Sequence, residues 1–387
     1  MKKGWETKTL NQISTNLDSR RVPITKGVRE GGEYPYYGAS GIVDYVADYI
    51  FDEDALLISE DGANLLARST PIAFPASGKY WVNNHAHILK FESLTTQRFI
   101  ELYLESIPLD DYITGAAQPK LNQKALNSIP IPVPPQAEQQ RIVGLLDEAF
   151  AGIATAKANA EKNLQNARAL FDSHLQSVFT QKGKGWVETT LEKVLATQPQ
   201  NGWSPPAANH SASGTPVLTL SSVTGFRFRP DKRKFTSATT DSRRNYWIKN
   251  GDFLITRSNT PELVGHVAIA EGITEPTIYP DLIMRMNPAP DRMMTEFLYF
   301  QMRTPSLRKE IMGRAQGANP TMKKISNGAV KTLPIAVPPI ATQQAIVETL
   351  NDLTEKTQRL GAIYQQKLAA LEGLKKSLLH RAFAGKL

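Results

Sequence analysis

The sequence predicts an α/β (α+β) protein: two mixed α/β domains joined by two long antiparallel helices forming a coiled coil. The whole reads as an internal duplication with pseudo-two-fold symmetry. Three observations in the 387 residues carry this reading. A proline-introduced segment occurs twice, a helical apolar stripe follows each copy, and short strand-like runs fill the remainder.

The duplication comes first. Trp5-Glu6-Thr7-Lys8-Thr9-Leu10 recurs as Trp186-Val187-Glu188-Thr189-Thr190-Leu191, 181 positions later. PIPVPPQAEQQRIVGLL, Pro130 to Leu146, recurs 204 positions later as PIAVPPIATQQAIVETL, with 11 of 17 residues identical. The same offset of 204 holds to the C-terminus, pairing Ser173 with Ser377, Leu175 with Leu379, Phe179 with Phe383 and Lys182 with Lys386. Each copy is therefore a variable part plus a segment of fixed length, and the boundaries fall at 1–127, 128–183, 184–331 and 332–387.

The fixed segments read as helices. Apolar residues recur at steps of three or four through Ile142, Leu146, Ala149, Ile153, Ala156, Ala160, Leu164, Ala167, Phe171, Leu175 and Val178. The second series is Ile346, Leu350, Leu353, Leu360, Tyr364, Leu368, Leu371, Leu374, Leu378 and Ala382. Neither segment has an internal proline, and each begins after a Pro-Pro pair, where a missing N–H does no harm. Helices of roughly 66 Å at 1.5 Å per residue are expected. Their equal length favours mutual packing over two helices each lying on its own domain. Compact domains keep their termini close, so the second helix should return antiparallel to the first, with one domain at each end.

The variable parts read as mixed α/β. Strands are expected at Ala55–Ile58, His87–Leu89, Val217–Leu220, Asp252–Thr256, Val264–Ala270 and Leu282–Met284. Short helices are expected at Phe99–Ser106 and Thr295–Met302. Gly/Ala/Asn-rich loops, Gly115–Pro119 and Gly313–Pro320, close each part. The connectors Pro130–Pro135 and Pro334–Pro339 read as extended, semi-rigid spacers.

Composition narrows the function. Apolar residues make up 41% and charged residues 21%, as in ordinary globular chains, and there is no cysteine. That excludes disulfides, zinc fingers and a thiol nucleophile. No apolar run is long enough to span a bilayer, and MKKGWETKTL lacks a signal-peptide core, so a cytoplasmic protein is expected. Charge is unevenly spread. Residues 1–127 carry 13 basic and 16 acidic groups, whereas residues 184–331 carry 20 and 12, a balance of +8 that suits a polyanionic partner.

Catalytic signatures are missing. There is no phosphate-binding Gly-x-x-x-x-Gly-Lys-Ser/Thr, no glycine-rich turn for a dinucleotide or S-adenosylmethionine, and no Asn/Asp-Pro-Pro-aromatic tetrapeptide. Pro230-Asp231 and Pro280-Asp281 lack the acid-x-Lys of a nuclease. His85 and His87, two apart on an expected strand, have no third ligand nearby and read as packing residues. A binder without an active site, metal or cofactor is expected.

Contacts suited to DNA cluster in the second variable part. Gly225 to Lys234 interleaves Phe226 and Phe228 with Arg227, Arg229, Arg233 and Lys234, and Arg243 and Arg244 follow. These can neutralise phosphates or grip guanine, or they can form a solvated charged hairpin. Arg257, Ser258, Asn259 and Thr260 follow an expected strand and read as a loop, with Arg suited to guanine and Asn to adenine. A turn built on Thr260-Pro261 explains the asparagine equally well. In the first part Lys79, Trp81, Asn83, Asn84 and His85 form the nearest equivalent.

These pieces together resemble a known family. IPVPPQAEQQRIV and IAVPPIATQQAIV, the duplicated helix endings, GDFLITRSNTPELVGHVAIA, and WVNNHAHIL preceded by YYGASGIVDY are similar to the specificity (S) subunits of type I restriction-modification systems. The resemblance spans essentially the whole chain. It implies a non-catalytic subunit whose two target-recognition domains, 1–127 and 184–331, each read half of a split double-stranded DNA target. It further implies that the helices dock two methyltransferase subunits, with Pro135, Gln139, Gln140, Pro339, Gln343 and Gln344 at the docking points. Those partners use S-adenosylmethionine to methylate adenine at N6, and motor-nuclease subunits use ATP and magnesium. The net-acidic first domain departs from the pattern. Three other readings stay open: a DNA-binding module acting without methyltransferase partners, a coiled-coil scaffold binding only protein, and, against the missing motifs, an enzyme with an unfamiliar site.

Overall fold

The computed structural model describes residues 4–115, 117–319 and 321–387. Contacts divide the chain into two units, Met1–Lys162 with Gln365–Leu387, and Asn163–Tyr364. Both long helices, Gln136–Thr180 and Ile340–Phe383, contribute residues to each unit.

The first unit is organised by an antiparallel sheet in the order Thr15–Asn16, Ala86–Lys90, Ala55–Ser59, Ala73–Ala76. Its central strand, Ala55–Ser59, is buried along its whole length. Alternation explains why Ala55 to Ile58 are all apolar: successive side chains point to opposite faces, and both faces are covered. Leu56 and Ile58 pack against Phe99 and Ile100 of the helix Leu94–Ser106 and against Ile142 and Leu146 of the first long helix. Ala55 and Leu57 face the other way, toward Phe51, Tyr80 and Val82. Those belong to a second sheet ordered Gly41–Val46, Gly31–Gly38, Lys79–Val82, Phe51–Asp52.

The second unit repeats the plan. Its sheet runs Leu195–Asn201, Ile283–Pro288, Phe253–Thr256, Val267–Ile269. Phe253 and Ile255 join the cluster that contains Phe297, Leu298 and Phe171, while Leu254 joins Leu218, Phe228 and Tyr279 on the opposite face. The expected strand at Val217–Leu220 is Thr215–Leu218, because the Thr219 hydroxyl and Ser222 close a capping box that turns the chain into a single 3-10 turn. Only Val267–Ile269 of Val264–Ala270 is strand.

The proline-rich connectors are not free spacers. Ile131–Val133 pairs antiparallel with Glu6–Lys8, and Pro334–Val337 with Val187–Thr190, so the two repeated motifs of each copy are strand partners. Proline is tolerated because each ladder has only two strands, leaving one side of every strand unpaired. Ile131, Ile335 and Ala336 are buried and anchor these pairs.

Within the first unit the helices run antiparallel: the Lys157 ammonium meets Glu372 at 2.8 Å, and Arg141 donates to the Leu387 carbonyl at 2.8 Å. In the second unit Leu164 closes over Gly361, where an added Cβ would stand 3.7 Å from its Cδ1. The first apolar series is buried or half-buried throughout, as its spacing predicts. The second needs correction. Leu360 and Leu374 are exposed, and the half-buried Thr357 and Gly361 hold the inward positions instead. A small residue lets the neighbouring helix approach, which a leucine count does not detect. Of the two expected loops, Gly313 and Arg314 belong to the helix Pro305–Arg314, and Ala116 and Pro320 lie outside the described residues.

Candidate nucleic-acid interface

The central strand of each sheet ends in the same backbone frame. In the first unit the Glu60 N–H donates to the His85 carbonyl at 2.9 Å, and the Glu60 carbonyl accepts from Leu121 N at 2.8 Å. In the second the Arg257 N–H donates to the Leu282 carbonyl at 2.8 Å, and the Arg257 carbonyl accepts from Ile325 N at 3.0 Å. Lys120 bridges Asp61 and Thr114 just as Lys324 pairs with Ser258 and bridges Gln316. Each lysine is followed by one residue and then a helix cap: Asn122 accepts from Ala125 N, and Ser326 from Ala329 N.

Side chains on that shared frame differ in charge. In the first unit the Glu60 carboxylate takes Arg21 at 2.5 Å and Lys120 at 3.1 Å, with His87 Nδ1 at 3.8 Å. Burial pushes the Glu60 carboxyl up, but Arg21, His87 and Lys120 outweigh it and hold the group below the usual carboxylate range. His87 is buried against Asp18 at 2.5 Å and the Leu121 carbonyl at 2.8 Å, a packing role. In the second unit Arg257 has no carboxylate partner among the described residues. Its Nη1 reaches only the Asp281 carbonyl at 3.5 Å, and its Nε is buried without a partner. Lys324 is exposed with no ion pair among the described residues, while the Lys323 ammonium bonds the Gly317 carbonyl at 2.7 Å. Sequence reasoning missed Lys120 and Lys324. The offset of 204 that relates the helices relates these two residues as well, and was the available signal.

Of the candidates in the first unit, Asn84 and His85 are exposed, and His85 Nδ1 lies 2.8 Å from the Asp61 carboxylate. Lys79 is exposed with its ammonium 4.5 Å over the Tyr49 ring. Two candidates serve the fold instead. The Trp81 indole N–H donates to the Val22 carbonyl at 2.6 Å. Asn83 is buried, its Oδ1 accepting from His85 N at 2.8 Å to hold the turn.

The basic stretch of the second unit divides similarly. Arg227 and Lys234 are exposed, and their side chains make no hydrogen bond or ion pair among the described residues. Arg229 is spent on the Ser221 and Thr224 carbonyls, at 2.9 and 2.5 Å, and Arg233 on Glu275 at 2.7 Å. Arg243 is exposed beside Asp241 at 3.2 Å. Arg244 lines a cavity of about 490 Å³ next to the stacked rings of Trp203 and Tyr246, whose centroids are 5.2 Å apart. Phe226 has a positive φ of 58°, a costly conformation for an aromatic residue. It is held by the Tyr299 hydroxyl, 2.6 Å from its carbonyl, and by stacking on His266 at 4.0 Å. Burial and the nearby Arg308 push the His266 imidazole down to about 4.

The expected loop at Arg257–Thr260 is corrected. Ser258–Asn259 forms a short strand antiparallel to Lys323–Lys324. Ser258 is buried and cannot touch a ligand in this conformation. The Asn259 side chain donates to Thr224 Oγ1 at 3.3 Å and accepts from Thr260 N at 2.9 Å, and the Thr260 carbonyl closes the next turn by accepting from Val264 N.

The expected docking residues also separate. Gln139 is buried, and its amide donates to the Pro134 carbonyl at 2.9 Å. Gln343 is buried too, donating to Pro338 and Arg292 carbonyls at 2.9 Å each and accepting from Met294 N at 2.8 Å. These first glutamines lock the Pro-Pro turn onto the helix and are not available to a partner. Pro135, Gln140, Pro339 and Gln344 are exposed. Among the described residues no cluster of three His, Asp or Glu side chains is placed to hold a metal, and no helix is long and apolar enough to cross a membrane.

The family model described as type I restriction modification DNA specificity domain matches residues 2–165 and again 183–371. A putative type I restriction enzyme specificity subunit from Haemophilus influenzae is 27% identical over 360 residues, covering 92% of this chain and 89% of the relative. The EcoKI specificity subunit of Escherichia coli is 26% identical over 317 residues, covering 78% and 68%. A solved structure concerning complex assembly and conformational transition of the type I R-M system shares the fold, with a TM-score of 0.74 at 17% identity, covering 100% of this chain and 99% of that one. The HsdS subunit from Thermoanaerobacter tengcongensis follows at 0.57 and 16%, covering 100% and 98%. With both halves matched in turn, the chain belongs to the family of type I restriction modification DNA specificity domains and carries two of them.

Proposed function

We propose that this chain is the specificity subunit of a type I restriction-modification complex, each unit reading one half of a bipartite duplex target. The carrying observation is the repeated strand-end frame, Glu60 with Lys120 and Arg257 with Lys324, set on two sheets of identical order. Two copies of one scaffold with different side chains at the same point suit a target with two different half-sites.

On this reading the chain itself performs no chemistry. It positions two methyltransferase subunits that methylate adenine at N6 with S-adenosylmethionine, and motor-nuclease subunits that consume ATP with magnesium, in the cytoplasm. Exposed Gln140 and Gln344, together with Pro135 and Pro339, are the accessible part of the docking set. Co-expression with the methyltransferase subunit in a methylation-free host tests the proposal. Sequencing the methylated positions should give one split motif; DNA left unmethylated by an assembled complex would refute it.

A further inference from the structure

We infer that the strand-end frame is the base-contacting edge of each unit, with Lys324 reading the second half-site and Lys120 taking the matching place in the first. The inference rests on the DNA-reading function above and says which residues carry it.

Three observations lead there. The frame recurs in both units, although its parts come from segments about 60 residues apart in sequence, Glu60 with Lys120 and Arg257 with Lys324. Next, the second unit has two cations without carboxylate partners among the described residues on this frame. Arg257 has a buried, unpartnered Nε, and Lys324 is exposed beside it on the adjoining strand. An exposed lysine with no acidic partner is open to a polyanion. Finally, Ser258–Asn259 and Lys323–Lys324 form a two-stranded ribbon outside the main sheet. A two-stranded ribbon fits the major groove, where lysine bonds guanine O6 and N7.

Chemistry at the same point of the first unit is different. Lys120 shares its charge with Glu60, and the open side carries the Asp61–His85 pair. A carboxylate there accepts from base amino groups, the N4 of cytosine or N6 of adenine. The two half-sites should therefore differ in base preference for a reason visible in the side chains.

The test uses the whole complex with its methyltransferase partners and a library of random duplexes. Wild type selecting no split motif refutes the proposed function and not this assignment in particular. Given a wild-type motif, Lys324→Gln should lower affinity for it by about tenfold or more and relax preference in one half only. Lys120→Gln should relax the other half only. Thermal melting identifies a variant that fails to fold, and for that position the exposed Lys324→Arg gives the readout, expected to alter base preference at retained affinity. Unchanged preference in all variants, or an equal loss on every sequence, would overturn the assignment and leave the ribbon as scaffold or phosphate anchor.

Discussion

The Lys120 ammonium stands 3.1 Å from the Glu60 carboxylate, at the point of the first unit where the second unit has Lys324 beside Arg257. One substitution of charge on a common frame thus converts a self-neutralised site into a cationic one. This gives the acidic balance of residues 1–127 and the +8 of residues 184–331 a local structural meaning.

Removing the neutralising group should cost stability. In Glu60→Gln, Arg21 loses its 2.5 Å carboxylate partner and keeps Asp18 at 3.5 Å and the Asp18 and Ala86 carbonyls, a less compensated, largely buried cation. A loss of about 2 kcal/mol is expected in urea titration, less than for a fully buried pair because Lys120 is exposed. An unchanged midpoint would show that the carboxylate does not hold this corner.

Salt dependence should sort the arginines. Arg227→Ala and Lys234→Ala should each flatten the slope of log affinity against log salt by about one. Arg229→Ala and Arg233→Ala should leave the slope nearly intact, because their guanidinium groups are already engaged. Arg229→Ala should instead lower stability by about 1–2 kcal/mol, two carbonyls losing their donor. Binding measured across a salt series, with urea titrations alongside, separates the two classes.

Acid should weaken the second unit through His266. Its folded pKa of about 4 lies below the ordinary 6.5, so between these values the unfolded chain binds the proton and the folded chain does not. Stability from this group is complete above about 6.5 and declines as pH falls toward 4, by at most about 1.4 kcal/mol per pH unit. Glu101, pushed up to about 6 by burial, acts in the opposite direction, so the difference between wild type and His266→Gln isolates the imidazole. That difference should shrink from pH 7 to pH 5; a constant difference would contradict it.

The two buried glutamines should not be equivalent. Gln343 satisfies three backbone groups, whereas Gln139 satisfies one and leaves its Oε1 unpartnered. Gln343→Ala should cost about 2–3 kcal/mol and Gln139→Ala about 1 kcal/mol, measured as unfolding midpoints. Equal losses would place both on the Pro-Pro turn alone.

Much of this was legible before any coordinates. The long helices follow from apolar spacing, and Leu56, Ile58, Phe253 and Ile255 from short buried runs. Side-chain engagement was not legible, since Arg227 and Arg229 look alike in sequence until Ser221 and Thr224 are seen to claim one of them. Gln343 misled for the same reason, a polar residue in a plausible motif that satisfies buried backbone, and Ser258 because its strand pairing buries it. Lys324 was overlooked because its strand partner, Ser258, is more than 60 positions away.

The central claim is that each unit reads its own half of a split target. Replacing residues 185–331 with the corresponding region of another specificity subunit, then mapping methylated adenines genome-wide in the assembled complex, tests it most directly. The account predicts a motif in which one half is new and the other is unchanged. A motif altered in both halves, or unaltered in either, would contradict it.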